Sequence, residues 1–529
     1  METPDFGIPP RLAARLSMAE QHAYLRSRLS RRRALVTAGM VAGGAVAGGA
    51  LTGCGAGGSP DRPGASRSSA SGLAASPVSG AAVVPFGRHL ALGDDPRTGM
   101  RVSWQVPAPV RGPYLRLGSR PDDLGGRTPA EVRALNTPEL RGIRAAVEQY
   151  YVHASLTGLL PGTTYYYGVG HEGLDPADPA HRATISSFRT APVTPGTFTF
   201  TAFGDQGVGE AAAAGGRVLR GADPAFHLHA GDLCYANPTG RGTAGDTYDA
   251  THWDLFLKQN EPVARSVPWM VTTGNHDMEA WYSPDGYGGH LARFSLPGTG
   301  FDPRSAPGVY SFVYGNVGVI ALDANDVSYE IPANLGCTDG RQTAWLARRL
   351  RELRAADGVE FVVVFFHHCA YSTSSHGSDG GVRAEWVPLF AEHRVDLVIN
   401  GHNHVYERTD AIRDGEVGRA VPIGGRTDPV RDGTVYVTAG GGGKDLYGFP
   451  AGTPESYAGH VHDTESVPAL RWTRSRDTPQ ERVEWSRVRY RGFSVLSVTA
   501  HAGASPRLEV TALNHEGERV DAFEVRRGG

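Results

Sequence analysis

Five apolar segments of this chain are each followed by a residue whose side chain can bind a metal ion. In chain order these residues are Asp205, Asp232, Asn275, His367 and the pair His402 and His404. Four of these six residues directly follow a glycine, which permits a tight turn and a close approach of the backbone to an ion. Because the carboxyl ends of parallel strands meet at one edge of a sheet, such residues converge there. The pattern therefore predicts an α/β core with one site at the strand ends.

The sequence between these residues alternates between strand and helix patterns. The predicted strands cover 197–203, 226–230, 269–273, 317–322, 361–366, 395–399 and 434–438. The clearest helix is Gln342–Arg354, whose apolar residues share one face while its arginines point outward. Antiparallel strands at 493–498, 507–513 and 522–525 are expected to close the domain. This order predicts a core of two sheets flanked by helices, over residues 193–529.

The preceding region, residues 83–192, has the pattern of an all-β domain. Met100–Trp104 alternates apolar and polar residues, as a half-buried strand does. A Pro-Gly turn stands before Tyr165–Tyr167, where a corner tyrosine can bond its hydroxyl to the preceding loop. The region resembles a fibronectin type III-like sandwich. It lacks a cluster of acidic residues and histidines, which favours a scaffold role, and the alternative is that it shapes the rim of the site.

The first 54 residues are interpreted as an export signal that takes no part in the fold. Arg31–Arg33 fit a twin-arginine signal, and Leu51–Cys54 resembles a bacterial lipobox. The uncharged stretch 34–50 is too weakly apolar for a membrane span. Lipid on Cys54 would anchor the protein at the cell surface, whereas an ordinary cleaved signal would release it. Residues 55–82, rich in Gly, Ser, Ala and Pro, are predicted to be a flexible linker.

Composition excludes several classes of partner and site. A net charge of −3 argues against a nucleic-acid-binding surface. The chain has four cysteines and no Cys-x-x-Cys pair, so a thiolate metal site is not expected. Cys337 and Cys369 could pair in an oxidising compartment, but spacing alone leaves this open.

The donor types at the strand ends suit a two-metal site. Any single fragment is weak support, because a Gly-Asp at a strand end is commonly only a turn. Five such fragments in order are much stronger support for a metal site than any one of them. Their carboxylate, amide and imidazole donors suit Fe, Mn and Zn. His227 and His229, which precede Asp232 on a strand, are expected to be buried rather than ligands. Two ions held together can clamp the attacking and leaving oxygens of a phosphoryl group.

The ordered motifs resemble those of the purple acid phosphatases, which belong to the calcineurin-like metallophosphoesterases. The motifs are Gly-Asp-x-Gly at 204–207, Gly-Asp-x-x-Tyr at 231–235, Gly-Asn-His-Asp at 274–277, Val-x-x-His at 364–367 and Gly-His-x-His at 401–404. The most discriminating residue is Tyr235, because purple acid phosphatases bind a ferric ion through a tyrosine at this position. The resemblance implies a centre of Fe(III) plus a divalent Fe, Zn or Mn ion.

The resemblance also implies a role for each motif residue. The first metal would be bound by Asp205, Tyr235 and His404, the second by Asn275, His367 and His402, and Asp232 would bridge them. His276 resembles the general acid of the family, and His376 a second histidine that contacts substrate. Strand alternation lets only one of two adjacent histidines face the metals, so His368 is expected to pack beside His367. Cys369 stands where the family usually has proline, which removes no ligand.

These features predict an exported acid phosphatase that hydrolyses small phosphate monoesters by attack of a metal-activated hydroxide. A phosphodiesterase or nucleotide hydrolase with the same centre is the nearest alternative. The alkaline phosphatase D family also combines twin-arginine export with a sandwich domain, but the Gly-Asn-His-Asp and Gly-His-x-His pair fits the purple type better. A non-catalytic surface adhesin is a further alternative, against which the complete ligand set argues.

Overall fold

The computed structural model describes residues 8–28, 78, 80, 82–139, 145–237, 248–450, 456–457 and 466–528. Residues 8–28 contain two short helices, α1 (Pro10–Ala13) and α2 (18–28). The expectation that the N-terminus stays outside the fold is wrong for this stretch, because apolar side chains such as Met18 and Leu25 are buried against residues such as Met278 and Tyr287. Arg31–Arg33 and Cys54, on which the export and lipidation predictions depend, lie outside the described residues.

A β-sandwich domain follows. Its strands are β1 (Phe86–Leu92), β2 (Met100–Val106), β3 (Tyr114–Gly118), β4 (Arg127–Pro129), β5 (Glu131–Thr137), β6 (Val147–Leu156), β7 (Thr164–Gly170) and β8 (Ser186–Arg189). They form two four-stranded sheets, β1-β2-β6-β5 and β4-β3-β7-β8, with Trp104 buried between them. The Tyr165 hydroxyl accepts a 2.9 Å hydrogen bond from the backbone of Leu160, which confirms the corner tyrosine. Val78 already donates its N–H to Pro109, so attachment to this domain begins before residue 83.

The α/β domain contains the remaining strands. They are β9 (Phe198–Phe203), β10 (Phe226–His229), β11 (Trp269–Val271), β12 (Tyr310–Tyr314), β13 (Val317–Ala321), β14 (Phe361–Phe366), β15 (Ser378–Asp379), β16 (Leu397–Asn400), β17 (Tyr406–Thr409), β18 (Ala411–Arg413), β19 (Glu416–Arg419), β20 (Arg426–Thr427), β21 (Val435–Ala439), β22 (Ser456–Tyr457), β23 (Val467–Trp472), β24 (Gln480–Val483), β25 (Ser486–Tyr490), β26 (Ser494–His501), β27 (Arg507–Asn514) and β28 (Arg519–Arg526). One large sheet has the order β11-β10-β9-β26-β27-β28-β20, and the other β12-β13-β14-β16-β21-β17-β25-β22. Strands β9, β10 and β11 run parallel, as do β13, β14, β16 and β21, while β26–β28 are antiparallel as predicted.

Helices cover the outer faces of the two sheets. They are α3 (Glu210–Gly221), α4 (His252–Ala264), α5 (Gly288–Arg293), α6 (Arg341–Ala355), α7 (Gly380–Glu385), α8 (Val387–Glu392) and α9 (Pro429–Asp432). Between the sheets, aromatic rings interlock, with Phe226 of β10 edge-on to Phe312 of β12 at 5.3 Å. On the outside, Trp345 and Leu350 of α6 pack on β14, and α3 and α4 cover the first sheet. The predicted fold class, a β-sandwich followed by two sheets flanked by helices, is confirmed.

The β-sandwich domain lies against α4 and α5. Gln149 donates to the Asp254 carboxylate at 2.7 Å, and the Tyr167 hydroxyl donates to the backbone of Arg265 at 2.8 Å. His153 bonds the backbone oxygen of Ala292 at 2.8 Å. These contacts support the helices of the α/β domain. Among the described residues, none of the helices has the length and apolar character that crossing a bilayer requires.

Candidate active site

Strand ends of both large sheets supply the site. Asp205 follows β9, Asp232 follows β10 and Asn275 follows β11, all in the first sheet, while His367 follows β14 and His402 and His404 follow β16 in the second. Within each sheet these strands are parallel, so their carboxyl ends lie at one edge. Strand β14 is buried along its whole length because a parallel sheet is covered on both faces, which fixes the position of His367.

Four of the predicted site residues have left-handed backbone conformations. The φ angles are 60° at Asp205, 52° at Asp232, 60° at Tyr235 and 68° at His402. This region is costly for residues with a side chain, and such strain is typical of functional sites held in place by surrounding structure. The sharp turns after β9, β10 and β16 therefore position these side chains at the edge where the strand ends meet.

Two glycines of the motifs are required by close packing. A Cβ atom on Gly274 would lie 2.1 Å from Asp232 Oδ1, and one on Gly401 would lie 2.6 Å from Asp205 Oδ2. Any larger residue at these positions would displace a carboxylate of the site.

The first donor group comprises the three side chains predicted for the first metal. The Tyr235 hydroxyl lies 3.1 Å from Asp205 Oδ1 and 2.9 Å from His404 Nε2. His404 Nε2 and Asp205 Oδ1 are 3.3 Å apart. A phenol oxygen, a carboxylate oxygen and an imidazole nitrogen thus meet at one point.

The second donor group lies beside the first. His367 Nε2 is 3.0 Å and His402 Nδ1 is 3.1 Å from Asn275 Oδ1. Asp232 Oδ2 lies 3.2 Å from His367 Nε2, and that nitrogen lies 4.0 Å from Asp205 Oδ1 of the first group. The structure thus brings all seven residues predicted as ligands into one cluster.

Each imidazole is oriented through the nitrogen that faces away from the cluster. His367 Nδ1 bonds the backbone oxygen of Ala230 at 2.8 Å, and His404 Nδ1 bonds that of Asp445 at 2.6 Å. The backbone oxygen keeps a proton on the ring nitrogen that faces away from the cluster. The other, inner nitrogen therefore presents its lone pair to the cluster.

The donor set fits metal ions. The inner nitrogens of His367 and His402 face each other at 3.1 Å, beside the carboxylate of Asp232. Lone pairs and negative charge converge there in a buried space, and a cation relieves that repulsion. The mixture of carboxylate, amide, phenol and imidazole donors suits iron, zinc or manganese.

His276 and His376, the two histidines predicted to act on substrate, lie at the mouth of the cluster and are partly exposed. His276 Nδ1 bonds the backbone oxygen of Asn237 at 2.6 Å, and its Nε2 lies 3.7 Å from Asp232 Oδ2. Burial lowers the pKa of His276, and Asp232 partly opposes this effect. The ring of His376 lies 4.7 Å from that of His402.

Glu330 is a site residue that the sequence analysis missed. One carboxylate oxygen bonds His402 Nε2 at 2.7 Å, and the other lies 3.0 Å from His376 Nε2. Burial lowers the pKa of His376, but the carboxylates of Glu330 and Asp205 together outweigh it, so the net shift is upward. Glu330 lies in a loop after β13, away from any strand end, so the pattern of strand ends could not identify it.

Asp277, the last residue of the third motif, connects neighbouring strand ends. Its carboxylate accepts hydrogen bonds from the backbone of Gly274 and Asp232, each at 2.8 Å, and of Leu233 at 3.1 Å. The third motif contains Asp277, but the spacing of the motif did not predict this role.

The stretch after β21 forms another wall of the site. The backbone N–H of Lys444 donates to the backbone oxygen of Asp205 at 3.0 Å, and its ammonium lies 5.1 Å from the ring centre of Tyr235. The Tyr447 ring stacks on His404 at 4.0 Å. Lys444 and Tyr447 thus line the cluster.

The remaining candidates have structural roles. His368 packs on the ring of His402 at 4.3 Å, which confirms that it neighbours the cluster. His227 and His229 are buried beside Trp269, as expected. Cys337 and Cys369 are both free thiols, and Cys369 donates to the backbone of Gly401.

Comparisons with known proteins match both domains. Residues 85–190 match the family model described as the purple acid phosphatase N-terminal domain, and residues 201–406 match that of the calcineurin-like phosphoesterases. An uncharacterized protein of Mycobacterium tuberculosis is 34% identical over 389 residues, which cover 68% of this chain and 69% of that protein. Purple acid phosphatase 23 of Arabidopsis thaliana is 31% identical over 314 residues, covering 55% and 62% of the two chains.

A solved structure has the same fold. The purple acid phosphatase PPD1 from yellow lupin (Lupinus luteus) seeds superposes with a TM-score of 0.63 and 20% identity, covering 84% of this chain and 75% of its own. Both domain matches, the sequence relatives and this fold agree with the motifs that converge in the cluster. The chain belongs to the purple acid phosphatases of the calcineurin-like metallophosphoesterases, a family of phosphoesterases with a dinuclear metal centre.

Proposed function

We propose that this protein is an acid phosphatase that hydrolyses phosphate monoesters, with a ferric ion beside Tyr235 and His276 as the general acid. The observation that carries the proposal is the position of the Tyr235 hydroxyl, 3.1 Å from Asp205 Oδ1 and 2.9 Å from His404 Nε2. A phenol oxygen in a buried ligand set favours a ferric ion, since phenolate is a hard, anionic donor.

The two donor groups would each hold one ion. Asp205, Tyr235 and His404 would bind the ferric ion, Asn275, His367 and His402 would bind a divalent Fe, Zn or Mn ion, and Asp232 would bridge them. When bound, the ions supply a water of lowered pKa and positive charge for the phosphate oxygens.

His276 is suited to protonate the leaving group. Its Nδ1–H donates to the backbone of Asn237 at 2.6 Å, which aims Nε2 toward the space beside Asp232. Burial lowers the pKa of His276, and this makes the imidazolium a stronger acid that is populated at acidic pH.

Two cationic side chains favour a monoester over a diester. His376, whose pKa is raised by Glu330 against the effect of burial, lies beside His402 of the second donor group, and Lys444 lies beside Tyr235 of the first. A monoester carries up to two negative charges on its phosphate and a diester carries one, so positive groups on both sides stabilise the monoester more.

Kinetic assays of the metal-loaded protein test this proposal. An aryl phosphate monoester and the matching aryl diester should be compared at acidic pH, and kcat/KM should be higher for the monoester. Preference for the diester would support the phosphodiesterase alternative. Absence of turnover on both substrates, with the metals bound, would contradict the enzymatic proposal and support the adhesin.

We also propose that the protein is exported by the twin-arginine route and anchored through Cys54. The support is the sequence Ser30–Leu35 followed by the lipobox-like Leu51–Cys54. Replacing Arg31 and Arg32 by lysine should retain the protein in the cytoplasm, whereas Arg15→Lys should not. Cys54→Ala should release the exported protein from the membrane fraction, and an unchanged distribution would argue against the anchor.

A further inference from the structure

The segment that precedes the arginine motif is a folded element, here called the N-terminal strap (residues 8–28). Ser17 and Glu20 cap helix α2, with the Ser17 N–H donating to Glu20 Oε2 at 2.8 Å and the Glu20 N–H donating to Ser17 Oγ at 3.3 Å. The Gln21 amide donates to the backbone oxygens of Ala13 and Leu16 at 3.3 and 3.1 Å, which ties α1 to α2. The strap therefore has a defined shape.

One face of the strap is buried. In α2 the buried side chains are Met18, Gln21, His22 and Leu25, at the i, i+3, i+4, i+7 spacing of a helix face. The side chains of Met18 and Leu25 are 1% and 3% exposed, whereas that of Leu12 in α1 is 37% exposed. A helix of this length is marginal alone, so its structure depends on the surface that it covers.

That surface is an apolar groove of the α/β domain, here called the strap groove. Its lining residues are Met278, Ala280, Tyr287, Ile331 and Ala333. Two polar contacts fix the position of the strap: His22 Nδ1 bonds the backbone oxygen of Ala280 at 2.7 Å, and Arg476 donates to that of Ala14 at 3.4 Å. A Cβ on Gly286 would lie 3.1 Å from Met18 Cγ, so the two surfaces are closely matched.

The strap groove adjoins the active site. Met278 lies two residues after His276, and Ile331 directly follows Glu330, which bonds His402 and His376. The groove residue Tyr287 donates its hydroxyl to Asp323, and Asn325 in turn donates to the backbone of Gly274 at 3.2 Å. The strap in this groove thus contacts both the segment that carries His276 and the segment that carries Glu330.

We propose that the strap groove is a specific docking site for the N-terminal strap, and that docking braces the segments carrying His276 and Glu330. Because the groove combines residues 278–287 and 331–333, it forms only when the α/β domain has folded. Docking of the strap and bracing of these segments require neither the phosphatase activity nor export.

The test uses the full chain with a protease site inserted in the Gly/Ser-rich stretch between residues 55 and 77. After cleavage, the N-terminal piece should co-elute with the rest of the protein in size-exclusion chromatography. Met18→Asp with Leu25→Asp should reduce the retained fraction at least tenfold, and so should the milder Met18→Ala with Leu25→Ala. Leu12→Asp, at an exposed position of the same segment, is the matched control and should retain the piece.

Separation of the wild-type piece would overturn the docking proposal. Equal retention of the wild-type and doubly substituted pieces would also overturn it, because binding would then come from other residues, such as the apolar stretch 34–50.

Hydrogen exchange in the uncleaved protein measures the bracing of the two segments. Amides of 278–287 and 331–335 should exchange at least tenfold faster in both double variants than in Leu12→Asp, and unchanged rates would contradict bracing.

Discussion

At the scale of single residues, His402 shows how outer contacts prepare the site. Its Nδ1 faces the inner donors at 3.1 Å from both Asn275 and His367, while Nε2 bonds Glu330 at 2.7 Å. A carboxylate behind a ligand imidazole fixes the orientation and the tautomer of the ring and increases its basicity. Glu330 thereby acts on the site through His402 and joins His376 to it.

Glu330→Gln is expected to weaken metal binding on the His402 side of the cluster. Loss of an outer carboxylate typically lowers metal affinity by about 10–100-fold. Titration of metal-free protein with Zn²⁺ against a chelator measures this directly. The exposed Glu484→Gln is the control. Equal metal affinities for the two variants would show that Glu330 does not support metal binding.

His276→Ala is expected to lower kcat by about 10²–10⁴ for substrates with poor leaving groups. The loss should be smaller for aryl phosphates with acidic leaving groups, since these need no protonation. A series of aryl esters measures the dependence, with the partly exposed His252→Ala as the control. A loss of equal size on every ester would indicate that His276 positions groups instead of donating a proton.

At the scale of elements, the turns that follow the strands explain why the motifs contain glycine. Gly274 and Gly401 lie where a Cβ would meet the carboxylates of Asp232 and Asp205. Asp277 then fastens the β10 and β11 ends to each other through three backbone N–H groups. The turns therefore form one connected support for the donors.

Gly274→Ala is expected to abolish most activity, because its Cβ would lie 2.1 Å from Asp232 Oδ1 and the carboxylate would have to move. Displacement of a ligand by about 1 Å commonly costs about 100-fold in rate. Gly196→Ala is the control, since a Cβ there meets open space. Normal metal content and turnover in Gly274→Ala would show that the turn tolerates a side chain.

The sequence predicted those strands and helices whose residue pattern lies within one short segment of the chain. Apolar runs such as Phe361–Phe366 match the strand boundaries, and the predicted helix Gln342–Arg354 is one residue longer at each end in the structure. Glu330 and Tyr447 were missed because tertiary packing, and not spacing, brings loop residues to the cluster. The N-terminal strap was missed because polar Gln21 and His22 occupy half of its buried stripe.

At the scale of the whole molecule, the β-sandwich domain is joined to the α/β domain through buried histidines. His153 lies between Ser103 and the backbone of Ala292, and His89 bonds the backbone of Arg293 at 3.1 Å. Burial, reinforced by Arg133, lowers the pKa of His153 from 6.5 to about 3. The interface therefore requires a neutral imidazole.

Acid is expected to weaken the folded protein through this interface. The pKa of His153 is lower in the folded than in the unfolded chain, so its contribution is complete above pH 6.5 and is lost as the pH falls toward about 3. From pH 7 to 5 the free energy of unfolding should fall by at most about 2 kcal/mol through this residue. Denaturant unfolding of the wild type and His153→Gln measures it, and an equal fall in both would contradict the assignment.

Metal analysis combined with visible spectroscopy of the native protein tests the proposed dinuclear centre with Tyr235 on its ferric ion. The account predicts two metal ions per chain, one of them iron. It also predicts a visible charge-transfer band that is lost in Tyr235→Phe and kept in Tyr371→Phe, where a buried tyrosine packs away from the cluster against Tyr436. A colourless, fully active protein that contains no iron would contradict it.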